Sequence, residues 1–147
     1  MTKITPFLWF DKEAGEAAKY YVSIFPGGKT LNSNPMFTTF EIAGQTIMAL
    51  NGGPEYKHSP AFSFFVDCED QAEVDLYWDK LMSDGGSDPQ CGWLKDKYGL
   101  SWQIIPKQLG DLLSDPDPAK SGRVMATMRQ MKKIIVADLI KAAKNLS

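Results

Sequence analysis

The chain has 147 residues, of which 44% are hydrophobic, 12% aromatic and 23% charged, with a formal net charge of −2. That is material for one folded domain, or for two very small modules sharing a core, and it excludes a disordered chain. No stretch approaches the roughly 20 apolar residues of a membrane span, and no apolar leader follows Met1. Two thiols, Cys68 and Cys91, with no CxxC and no disulfide framework, point to the cytoplasm.

The first expected element is a buried strand over 4–10, rich in aromatic side chains. Asp11 reads as an N-cap, and Ala14, Ala17, Ala18, Tyr21, Val22 and Phe25 then fall on one face of a helix. Pro26-Gly27-Gly28 stops it. Residues 29–31 form a weak strand, 36–42 alternate as a stronger one, Ala43-Gly44 turns the chain, and 45–50 return. The order then repeats. Residues 61–66 read as a strand, Asp67 follows, and Val74, Tyr77, Trp78, Leu81 and Met82 mark a second amphipathic helix ended by Gly85-Gly86. Strands over 92–95 and 100–105 flank a turn at Lys97-Tyr98-Gly99.

The two halves keep a fixed offset, 56 positions from Asp11 to Asp67 and 55 from Gly44 to Gly99, which points to duplication. Two βαβββ units can curl their sheets around a shared cleft with the helices outside. The expected fold is therefore α+β, paired βαβββ modules over about 1–54 and 55–110, with a helical extension over 111–147. In that extension Ser114-Asp115-Pro116-Asp117-Pro118 is a linker or helix-initiating segment. Val124, Met125, Met128 and Met131 mark one helix, and 135–146, with Leu139, Ile140, Ala143 and Leu146, another. From Ala119 onward seven Lys and Arg face Asp138 alone, a net charge of +6, so the preceding 118 residues carry −8.

Five segments carry a family resemblance: TPFLWFD, EAAKYYVSIFPGG, MALNGGP, CGWLKDKYGLSWQIIP and DPDPAKSGRVMATMRQMKKI. Together they resemble the PhnB-like family, whose members are often described as 3-demethylubiquinone methyltransferase-like. That family belongs to the vicinal oxygen chelate superfamily, with the glyoxalase and bleomycin-resistance proteins. Between Gly28 and Met36 this chain lacks most of an insertion that many relatives carry. The resemblance implies the paired βαβββ fold and a homodimer. In the superfamily's metalloenzymes four strand positions supply His and Glu ligands. The matching positions here fall near Pro6, Ala49 and Ala61, and at Gln103, which leaves no metal site. No cofactor is implied: of the glycine pairs 27–28, 52–53 and 85–86, two end helices and the third precedes Pro54, so none reads as a strand-glycine-helix site for a methyl donor.

Site residues are read with two alternatives each. Gln103 interrupts an apolar strand and either orients a ligand or bonds to backbone. Asn51 is either a pocket group or a turn residue ahead of Gly52-Gly53-Pro54. Ser63 alternates with Phe62 and Phe64 toward the cleft face, to contact a ligand or to fill space. Cys91 lacks a nearby His that would make it a nucleophile. The single histidine, His58, is either an acid-base group or a loop residue. Trp9, Trp93 and Trp102 divide between core and pocket wall, and Leu8 joins Trp93 in lining the pocket.

Two functions compete. One is a small-molecule binder, or a metal-independent enzyme, using an aromatic-lined cleft. The other is a nucleic-acid-associated protein acting through its basic tail. The spread of basic residues over both tail helices favours the first, with the tail burying Met125, Met128, Leu139 and Ile140 on the body or across a dimer.

Overall fold

Alternating burial along short strands builds two sheets of one topology, seen in a computed structural model that describes residues 3–145. Leu146, read above as part of the last helix, lies outside the described residues. The chain divides into two compact units between His58 and Ser59.

The first unit comprises β1 (Phe7–Phe10), α1 (Ala14–Ile24), β2 (Lys29–Ser33), β3 (Phe37–Ile42) and β4 (Gln45–Asn51). The sheet order is β1-β4-β3-β2, with β1 parallel to β4 and the other pairs antiparallel. Leu8, Phe10, Phe40, Ile42, Ile47 and Ala49 point to the side covered by α1, where Tyr21 stacks on Phe40 at 6.0 Å between centroids. The other face shows Phe7, Trp9, Phe37, Met48 and Leu50, half-exposed or exposed. Asp11 does not cap α1. The helix starts later, its N-cap residue is Glu13, and the Ala14 amide donates to the Asn51 side-chain oxygen at 2.8 Å. Ala43 (φ 47°) and Gly44 (φ 80°) both sit in the left-handed region, the type I′ pattern that matches a hairpin's twist.

The second unit repeats the plan with β5 (Ser63–Cys68), α2 (Gln71–Met82), β6 (Ser87–Gln90), β7 (Trp93–Lys95) and β8 (Ser101–Pro106) in the order β5-β8-β7-β6. The strand expected from Ala61 begins at Ser63, and Asp67 lies inside it. The cap of α2 is Asp70, whose carboxylate accepts from the Glu73 amide at 3.0 Å. β6, Ser-Asp-Pro-Gln, carries no apolar alternation and was invisible in the sequence. Phe64, Cys68, Leu94, Trp102 and Ile104 face α2, which buries Val74, Tyr77, Trp78 and Leu81.

The segment after Leu109 clusters with this second unit. It holds α3 (Lys107–Leu113), which the sequence reading missed, α4 (Pro118–Met128) and α5 (Val136–Ala143). Asp117 caps α4 with Pro118 at its first position, as the motif predicts. Leu109, Val124, Ile134, Leu139 and Ala143 form a second buried cluster. Met125 is only half-buried and Ile140 is 38% exposed, so the buried seam runs through Val124 and Ile134 and not through those two. The α4–α5 connection is stitched to the sheet: the Cys91 and Gly92 amides donate to Met131 and Lys132 carbonyls, each at 2.8 Å. Gln71 adds a clamp, donating to the Ile134 carbonyl at 2.9 Å and accepting from the Val136 amide at 2.7 Å. Among the described residues no helix is long and apolar enough to cross a membrane.

Candidate functional site

The second sheet has one face under α2; on the opposite face Ile105, at one end, packs against the cluster of α3, α4 and α5, and the rest is the candidate surface. Strand register assigns side chains to that open face without ambiguity. Trp93 pairs with Gln103 and Lys95 with Ser101 across β7 and β8, while Phe65 pairs with Gln103 and Ser63 with Ser101 across β5 and β8. Residues two apart on a strand share a face, so Ser63, Phe65, Trp93, Lys95, Ser101 and Gln103 form one contiguous patch. Gln103 is half-buried, and its amide nitrogen donates to the Ser63 hydroxyl at 3.0 Å. The bond is to a side chain on the same open face and not to backbone, so the amide is held in a fixed orientation over the sheet.

Beside this patch lies a cavity of about 630 Å³, lined by Pro60, Pro89, Cys91, Trp93, Lys95 and Ser101 among others. Its charged rim is the Lys95–Asp88 pair at 3.3 Å. Cys91, at φ 53°, directs its thiol to the Arg129 carbonyl at 3.6 Å. The other thiol, Cys68, is fully buried on the α2 side; burial, reinforced by the nearby Glu73 and Asp67 carboxylates, pushes it up to about 12, which makes it chemically inert.

Of the residues singled out in the sequence, Gln103, Ser63, Trp93 and Cys91 therefore come together within the second unit. The other three lie in the first. Leu8 is 3% exposed on the α1 side, a core residue and not a pocket wall. Asn51 has both ends of its amide tied to structure, accepting from Ala14 and donating to the Pro35 carbonyl at 3.0 Å, so its place is a helix cap and loop tie. His58 packs edge-on against Phe10 with ring centroids 5.3 Å apart, and its Nε2 is buried with no hydrogen-bond partner among the described residues. Lys95, Ser101 and Phe65 were missed. Alternation from Gln103 places Ser101 on the same face, so that signal was available; Lys95 and Phe65 needed the register.

The superfamily's metal does not fit this chain. Ala49 is buried beneath α1, facing away from the open side of its sheet. Pro6, Ala49 and Ala61 have no side-chain donor atoms, and Gln103 offers only a neutral amide oxygen in place of a carboxylate. No group of three or more His, Cys, Asp or Glu able to hold a metal occurs among the described residues.

Two sheets of this mixed topology, each with a helix on one face, define a protein of the glyoxalase-like class. Solved structures agree. The PhnB protein of Bacillus cereus is 30% identical, with a TM-score of 0.64 over 71% of this chain and 99% of that one. A Pseudomonas aeruginosa protein is 19% identical (TM-score 0.56, covering 72% and 98%), and a Listeria monocytogenes fosfomycin resistance protein, solved with Mn(II) and sulfate, is 15% identical (TM-score 0.53, covering 69% and 87%). These last two share the fold. A family profile described as 3-demethylubiquinone-9 3-methyltransferase matches residues 2–105. The chain belongs to that family, as its motifs indicated. Comparison with curated proteins finds no match.

Proposed function

We propose that the protein binds a small organic molecule on the open face of its second sheet, without a metal. The observation that carries this reading is the row Phe65–Gln103–Trp93. It sets an oriented amide between two aromatic side chains, beside a cavity large enough for a drug-sized ligand. Phe65, 59% accessible on the edge strand β5, is apolar surface that a ligand or partner would cover. No nucleophile-base pair accompanies the patch, so binding is favoured over turnover.

Methyl transfer, the activity in the family's description, has little support in this chain. The glycine pairs are used for packing: a Cβ on Gly28 would come 2.2 Å from the Val22 carbonyl oxygen, and one on Gly52 2.3 Å from the Trp9 ring. Nucleic-acid binding through the tail loses ground as well, since three of its seven basic residues have internal partners. Lys120 pairs with Asp115, Lys133 pairs with Asp75, and Arg123 donates to the Ala142 and Ala143 carbonyls at the end of α5. A homodimer in the cytoplasm is the companion proposal, supported by the exposed Phe7, Met36 and Phe37 of the first unit, which a second copy could cover.

Native mass spectrometry of the purified protein tests the reading. It predicts a metal-free species that retains or takes up an organic ligand, and loses it on Gln103→Ala with the fold intact by circular dichroism. A stoichiometric divalent ion, or ligand retention unchanged by Gln103→Ala, would contradict it.

A further inference from the structure

The cavity next to Trp93 has a more specific chemistry than a general apolar pocket. Lys95 and Ser101 are direct cross-strand partners, so their Cβ atoms stand about 5 Å apart on one face. Trp93 and Gln103 are the next pair along the same two strands. Four side chains thus form a block with one cationic-hydroxyl end and one aromatic-amide end, separated by about 7 Å, the repeat of two strand residues and roughly the length of a substituted ring.

Ser101 is the decisive member. It is 1% exposed, it lines the cavity, and its hydroxyl has no hydrogen-bond partner among the described residues. A buried hydroxyl without a partner is destabilising, so the position calls for an acceptor or a donor arriving from the cavity. The charge beside it selects between them. The Lys95 side chain is 32% exposed, and its Asp88 partner is 70% exposed at 3.3 Å. That distance exceeds the roughly 2.7–2.9 Å of a strong charge-assisted bond, and an exposed pair of this kind contributes little. Both side chains line the cavity; Asp88, the more exposed of the two, is a loose counter-ion that a better-placed anion can replace, which leaves Lys95 as the more enclosed charge.

We propose that this cavity takes a planar monocarboxylate, with its carboxylate between the Lys95 ammonium and the Ser101 hydroxyl and its flat body against Trp93. The proposal rests on the pocket reading above and adds to it the charge and shape of the ligand. It assigns Lys95 and Ser101 as the recognition groups and Trp93 as the platform.

The test uses the full-length protein titrated with three probes of one shape: benzoate, benzyl alcohol and benzylammonium, read by tryptophan fluorescence and by amide shifts in NMR spectra. Benzoate should bind roughly ten-fold more tightly than benzyl alcohol, the gain of one charge-assisted contact, and benzylammonium should bind least. Lys95→Met should remove the preference for benzoate while leaving benzyl alcohol binding in place. Asp88→Asn should strengthen benzoate binding a few-fold by removing the competing carboxylate. Ser101→Ala, a smaller change that leaves the charge pair alone, should weaken benzoate and spare benzyl alcohol. Equal binding of benzoate and benzyl alcohol, a preference for benzylammonium, or a benzoate preference that survives Lys95→Met would overturn the carboxylate assignment and leave the pocket standing. Failure of all three probes to shift any amide of β5, β7 or β8 in a folded sample would overturn the pocket reading itself.

Discussion

The two units share strand order, strand direction and the placement of their first helix, yet they differ on the sheet face opposite that helix. On the first sheet that face is mainly Phe7, Trp9, Phe37, Met48 and Leu50, with Thr39 opposite Met48 and the Glu41–Thr46 pair toward the hairpin end. On the second, the corresponding face carries the Gln103–Ser63 bond, the Lys95–Ser101 pair and a buried hydroxyl awaiting a partner. The hairpins differ too. The first turns on two residues in the left-handed region; the second turns around a buried carboxylate, with Asp96 accepting from the Tyr98 and Leu100 amides and from the Trp102 indole. The two units share one scaffold, and the Gln103–Ser63 and Lys95–Ser101 pairs lie on one of them.

The largest way to break the comparison lies in the helices that only the second unit possesses. Ile134→Ala removes a fully buried side chain from the cluster of Leu109, Val124, Leu139 and Ala143 and should cost about 3 kcal/mol in denaturant unfolding. Hydrogen exchange should then speed up in α4, α5 and the β6–β7 turn and leave the first unit's strands protected; loss of protection in both units alike would show that the helices are not a device of the second.

Asp96→Asn attacks the second hairpin alone. The Trp102 indole donates to one carboxylate oxygen at 2.8 Å while the two amides use the other, so an amide nitrogen would face a donor on one side. A loss of roughly 2 kcal/mol is expected, with Trp102 fluorescence altered. A neutral outcome would mean that the turn is held by the strands and not by the carboxylate.

A pH effect separates the units further. The Gln71 side chain first, and Lys133 second, hold the Asp75 carboxyl below its ordinary value. A depressed carboxyl stabilises the fold above the ordinary carboxylate range, and that contribution fades as pH falls through and below it. Opening of the α4–α5 connection on acidification should therefore be detectable by amide exchange at Ile134 and Val136, and Lys133→Ala should make it less dependent on pH. The effect is small because the pair is partly exposed to solvent.

The smallest change sharpens the first hairpin. Ala43 holds φ 47° with a Cβ, a conformation that asparagine tolerates better. Ala43→Asn should add roughly 0.5 kcal/mol of stability to the first unit.

Much of this was legible in the residues. Helix faces came through because Ala14, Ala17, Ala18 and Tyr21, and likewise Val74, Tyr77, Trp78 and Leu81, repeat at helical spacing and are buried as that spacing requires. β6 did not, because an edge strand of Ser-Asp-Pro-Gln has no apolar face to bury. The first cap misled: Asp11 looks like an N-cap, but the chain reaches Glu13 before turning into helix. Alternation put Ser63 on the candidate face, and alternation together with the family resemblance put Gln103 there. Lys95 was missed, since its membership of the site depends on pairing with Ser101 across strands, a register that local sequence does not encode. Leu8 and Asn51 were drawn toward the pocket by proximity in sequence to the right strands, and each points to the helix side.

Amide shift mapping with benzyl alcohol, a neutral planar probe, tests the central claim that the second sheet alone bears the ligand surface. Assigned NMR spectra of the full-length protein should show shifts concentrated on Ser63, Phe65, Trp93, Lys95, Ser101 and Gln103, with Phe7, Trp9, Met48 and Leu50 of the first sheet unmoved. Shifts concentrated on the first sheet, or shared equally between the two, would contradict the account.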